Sequence, residues 1–132
     1  MPGLLVTKDI ALVLFVVTTM LSIGLSVNLK QIKGIDVFAF TSPELALEHF
    51  MINQEFYQVV ISDYRMPTMT GIEVLCKMKE MNQAVKRILI SAFEIQDDLR
   101  DCNCVDQFLK KPISMVDLIN KVETLVAKPN SN

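Results

Sequence analysis

One histidine, three cysteines and no surplus of positive charge leave this 132-residue chain with few of the common catalytic options. A Ser/His or Cys/His pair would rest on His49 alone, and His49 falls in a polar stretch of a predicted helix, which reads as a solvated surface position. Thirteen basic residues against fifteen acidic ones give a net charge of −2, so there is no basic footprint for nucleic acid. Cys76, Cys102 and Cys104 are odd in number, and 102 and 104 stand too close in spacing for a zinc ribbon. They read as free thiols of a reducing compartment. The widest gap is in charge. No acidic residue occurs between Asp9 and Asp36, and nothing from Ile10 to Leu29 is charged at all.

What is present suits one domain, since a chain of this length can bury a substantial core. From residue 35 onward, short apolar runs alternate with helical patterns. Ile35–Phe40, Tyr57–Ser62, Arg87–Ser91 and Val105–Leu109 read as strands, with apolar centres expected of a sheet covered on both faces. Ser42 followed by Pro43 predicts a helix start. A second helix is expected over residues 71–82, a short one over 94–101, and a last one opening with Ser114 and Asp117 in capping-box spacing. Strands separated by helices imply an α/β domain with a parallel sheet and right-handed crossovers.

In such a sheet, chemistry collects at the carboxyl ends of the strands. Three predicted strands end at one reactive residue each: Asp63, Ser91 and Lys111. A carboxylate, a hydroxyl and an ammonium converging on one cavity suit phosphoryl transfer. The carboxylate would be the nucleophile, and the other two would hold phosphoryl oxygens.

Asp63 with Met66-Pro67 and Gly71 after it, then Ser91-Ala92, Phe108 and Lys111-Pro112, resemble in order and spacing the receiver domain of two-component response regulators. The resemblance covers residues 34–127 and implies a flavodoxin-like parallel sheet with helices on both faces. It implies a phosphoacceptor at Asp63, supplied by a histidine kinase or a small phosphodonor, in a signalling domain rather than an enzyme. Mg²⁺ would be held by Asp63 and the backbone carbonyl of Arg65, and Ala92 would leave the phosphoryl group room. Pro67, Gly71 and Pro112 would shape the turns, and Phe108 sits where the family has its aromatic switch, although an apolar residue there also packs without switching. No output domain is expected after residue 127, so signalling would pass to a downstream protein partner, and residues 128–132 read as a tail.

The first 33 residues depart from the family pattern, which begins with a strand ending in two acids. Two readings stand open. In one, Ala11–Val17 is a degenerate first strand, Thr18 and Thr19 take the place of the acids, and residues 20–32 form the first helix, leaving a weakened Mg²⁺ site. In the other, residues 10–29 form a transmembrane helix, since twenty residues rising about 1.5 Å each span roughly a bilayer core. The stretch FVVTTMLSIGLS also resembles the opening membrane segment of bile acid/sodium symporter-like transporters. A cytoplasmic receiver would then be anchored by a single N-terminal helix, with its first strand missing.

Overall fold

A computed structural model describes residues 11–17, 20–92, 95 and 102–127. Five strands, β1 (Ala11–Val16), β2 (Ile35–Phe40), β3 (Val59–Asp63), β4 (Lys86–Ser91) and β5 (Gln107–Lys110), pair in parallel in the order β2-β1-β3-β4-β5. Among the described residues, four helices connect or follow them: α1 (Met20–Leu29), α2 (Pro43–Asn53), α3 (Gly71–Met81) and α4 (Met115–Ala127). A 3-10 turn, Gln54–Phe56, joins α2 to β3.

The alternation of side chains across a strand sorts the core into two layers. Leu14 and Val16 of β1, Val60 of β3 and Leu89 of β4 face α2 and α3, meeting Ala46, Phe50, Val74, Leu75 and Met78. Val13 and Phe15 of β1, Val59 and Ile61 of β3, and Ile88 and Ile90 of β4 face the opposite layer, with Leu29 of α1 and Leu118 and Val122 of α4. Every one of these strand residues is fully buried.

The first strand is therefore present, and it is central. It pairs with β2 from Ala11↔Ile35 to Val16↔Phe40 and with β3 from Val13↔Val59 to Val16↔Ser62. The uncharged run holds a strand and a separate ten-residue helix rather than one membrane span. Among the described residues no helix is long and apolar enough to cross a membrane. The expectation of a transmembrane anchor fails for a plain physical reason: a parallel strand flanked by strands and covered by helices is apolar on both faces, so hydropathy alone reads it as lipid-facing.

Local chemistry sets the element ends. Gly34 takes φ 90 between α1 and β2, a left-handed conformation that glycine adopts without steric cost. The Ser42 hydroxyl accepts from Leu45 N at 3.2 Å, and Pro43 occupies the first helical turn. Thr70 and Glu73 form a reciprocal capping box on α3, at 3.2 and 2.9 Å. The Ser114 hydroxyl accepts from Asp117 N at 3.0 Å to start α4. Strand β5 starts two residues later than the apolar run suggests, because Asp106 is engaged elsewhere. Its carboxylate accepts from Arg87 N at 2.8 Å and lies 3.4 Å from the guanidinium of that nearly buried arginine. The helix expected over 94–101 lies outside the described residues apart from Ile95, which is buried in the α2–α3 layer.

Two side-chain expectations are corrected. His49 is half-buried rather than solvated: its Nε2 is 2.7 Å from the Tyr57 hydroxyl, and its ring lies 4.9 Å from that of Phe40 and 6.0 Å from that of Phe38. Cys76 and Cys104 are not free thiols but a disulfide between α3 and the approach to β5, leaving Cys102 as the free cysteine. Twenty-eight residues separate the bonded pair in sequence, a proximity that only the fold creates.

Candidate functional site

Strand order reverses at the β1/β3 boundary, so the carboxyl ends of the central strands open onto a crevice. Asp63 is the last residue of β3 and only 2% exposed. The chain leaves β3 sharply because Tyr64 N donates to Ile90 O at 2.8 Å and Gly71 N donates back to Tyr64 O at 2.7 Å. Gly71 is required here by space. A Cβ at this position would overlap the Asp63 carbonyl and stand 2.7 Å from Leu89 Cδ1. The Ser62 hydroxyl donates to that same carbonyl at 2.9 Å, so the backbone of Asp63 is gripped from two sides.

The loop between β3 and α3 is tied outward as well. Thr68 Oγ1 donates to Glu44 Oε2 at 2.6 Å, and this bond holds the Glu44 carboxyl below its usual range. Exposed Pro67 lies in the same loop.

The other two predicted groups arrive from neighbouring strands. Ser91 ends β4 and is buried, and its carbonyl accepts from Lys111 N at 2.8 Å. Lys111 follows β5, ahead of a cis peptide bond to Pro112. Its Nζ lies 3.2 Å from Asp63 Oδ1, and both side chains are largely withdrawn from solvent. A cavity of about 140 Å³ is lined by Asp63, Arg65, Ser91, Ala92 and Lys111 among others. Five residues singled out from the sequence thus meet in one place. Tyr64 and Ile90 also line it, and no sequence signal marked either. Phe108 does not line it. It is half-buried on β5, opposite Leu89 in register, and packs against the α2–α3 layer.

A sequence model of the response regulator receiver domain matches residues 18–123. The chain belongs to this family. The receiver is similar to the Arabidopsis thaliana two-component response regulator ARR15, with 28% identity over 74 residues, which is 53% of this chain and 35% of that protein. It thus spans about a third of that curated relative's length. Among solved structures, a response regulator receiver domain protein from Clostridium thermocellum superposes with a TM-score of 0.79 at 22% identity, covering 90% of this chain and 96% of that one. The response regulator TrrA from Thermotoga maritima, solved in complex with Mg²⁺ and BeF, superposes at 0.74 with 26% identity, covering 88% and 99%.

Receiver domains typically bind Mg²⁺, and the cavity can be tested against that ion. Its donors are hard oxygens, which suit Mg²⁺, and this ion needs only one or two carboxylates when phosphate oxygens and water complete its shell. Among the described residues lining the cavity, Asp63 is the only carboxylate. The donor set fits at its minimum, with little charge to compensate the cation. Thr18 and Thr19, the expected replacements for the acidic pair, lie outside the described residues.

Proposed function

We propose that this receiver domain takes a phosphoryl group on Asp63 in two-component signal transduction. The observation that carries the reading is the approach of Lys111 Nζ to Asp63 Oδ1, 3.2 Å, beside Ser91 in one cavity. An Asp63 oxygen attacks phosphorus while the bond from phosphorus to the donor breaks, releasing the kinase histidine or, with acetyl phosphate, acetate. The Ser91 hydroxyl and the Lys111 ammonium hold the phosphoryl oxygens as charge builds on them. Ala92 presents a methyl group where a larger side chain would fill the space. Asp63 and the Arg65 carbonyl would hold Mg²⁺, with Thr18 and Thr19 oxygens in place of the acidic pair; the ion supplies positive charge against the phosphoryl oxygens. Phe108, paired with Leu89 and packed against the α2–α3 layer, is the residue that would couple a Ser91 movement to the surface read by a downstream protein.

Asp63→Asn is expected to abolish labelling of the intact chain by acetyl phosphate or by a cognate histidine kinase, followed as a mass increase. Labelling that persists in the variant removes Asp63 as acceptor. A second reading, an interaction module that works without phosphorylation, draws on the acid-free stretch from Ile10 to Ile35. Beryllofluoride titration with Mg²⁺ separates the two: a saturable response belongs to the phosphoacceptor, and none to the module.

A further inference from the structure

Away from this cavity, a second cluster of reactive side chains lies where α3 meets the segment entering β5. The Sγ atoms of Cys76, Cys102 and Cys104 all lie within 4.8 Å of one another. Cys76 and Cys104 are bonded, and Cys102, half-buried, accepts from Cys104 N at 3.3 Å. The loop bearing two of the three is clamped from both sides. Lys79 Nζ of α3 donates to Asn103 O at 2.8 Å. Arg87 Nε of β4 donates to Cys104 O at 2.6 Å, while its Nη1 reaches Val85 O at 2.6 Å.

We propose that these three cysteines form a binding site for a thiophilic metal ion of the zinc class in the reduced chain, with the Cys76–Cys104 disulfide as the oxidised, metal-free form. Thiolates select Zn²⁺ and Cu⁺ over hard cations. A tetrahedral ion with Zn–S bonds of about 2.3 Å sets its sulfurs roughly 3.8 Å apart, a separation within reach of three thiols already confined by a clamped loop. Asn103 Oδ1, 3.9 Å from Cys104 Sγ, or a water completes the fourth position. The Cys102/Cys104 spacing rules out a zinc ribbon, and the third ligand comes instead from a helix that the fold brings alongside. A dithiol reductant donates two electrons and two protons to the Cys76–Cys104 bond, becoming a cyclic disulfide and leaving two thiols. The metal ion then displaces three protons as three metal–sulfur bonds form.

The test reduces the full chain with a dithiol, removes the reductant without air, and titrates with Cd²⁺ alone. A single equivalent is expected to bind with a thiolate-to-cadmium charge-transfer band, also when Zn²⁺ is bound first because cadmium is the softer ion, while the oxidised chain shows no band. Cys102→Ser is expected to weaken binding by more than about tenfold, a loss that removing even an outer hydrogen-bond partner of a metal ligand can cause. To separate ligand loss from misfolding, Cys102 is alkylated in the oxidised chain, where it is the free thiol, and the disulfide is reduced afterwards; the same weakening is expected with the sequence intact. A reduced chain that takes up no stoichiometric Cd²⁺ overturns the proposal, and so does equally tight binding once Cys102 is blocked.

Discussion

At the scale of single residues, the site is defined by the company Asp63 keeps. The nearly buried carboxylate lies 3.2 Å from the Lys111 ammonium, and among the described residues lining the cavity it has no acidic neighbour. The lysine partly neutralises the charge that would attract Mg²⁺, and on the proposed reading acids at positions 18 and 19 would add to that charge. Affinity of hard-cation sites follows the number of charged ligands. Thr18→Asp combined with Thr19→Asp is therefore expected to tighten Mg²⁺ binding by about tenfold or more, read by titration calorimetry, and to speed labelling at limiting Mg²⁺. Unchanged Mg²⁺ affinity in the double variant would show that these positions do not face the ion.

Among the elements, β1 decides whether the fold holds. Leu14 is fully buried between α2 and the sheet, so Leu14→Ala is expected to cost about 2–5 kcal/mol, measured from the denaturant midpoint. A loss of under about half a kilocalorie would mean that the strand contributes little. The aromatic contacts of β2 and α2 give a second handle. Burial, and after it the negative charge of Asp36, holds the Tyr57 phenol above its usual range. The folded state keeps that proton when the unfolded chain has lost it, so this contribution is intact below about pH 10 and fades as pH rises further. Tyr57→Phe is expected to flatten the decline in stability between about pH 9 and pH 11, with the remaining slope due to other groups.

The same elements explain what could be read in advance. Strands β2, β3 and β4 were legible within two residues because apolar runs bounded by turn residues admit no other covered element. Helix α2 was legible from Ser42-Pro43. Asp63 and Ser91 were legible because each ends its strand, and Lys111 because it stands one residue past the end of β5, where topology gathers strand ends. Strand β1 stayed ambiguous, since hydropathy records burial without recording what does the burying. The cysteine cluster and the His49–Tyr57 bond were invisible, because both depend on tertiary proximity across segments with no shared local pattern.

For the molecule as a whole, the disulfide is a cross-link within its carboxyl-terminal half, joining α3 to the entry of β5. Closing a loop with a sequence separation of 28 restricts the unfolded chain, an effect worth about 3.5 kcal/mol in the chain-entropy account. Reduction in metal-free buffer is expected to lower stability by roughly that amount, seen as a shift of the denaturation midpoint with and without dithiol. An unchanged midpoint would mean that the bond constrains nothing that the unfolded chain does not already constrain.

The place of β1 between β2 and β3 has a consequence during synthesis. It emerges from the ribosome before either of its neighbours, and its second flank stays open until Asp63 has been made, several seconds later at about 5–20 residues per second. For that interval the nascent chain displays a greasy, half-satisfied ribbon, the kind of segment that chaperones capture and that sticks to its own copies when they do not.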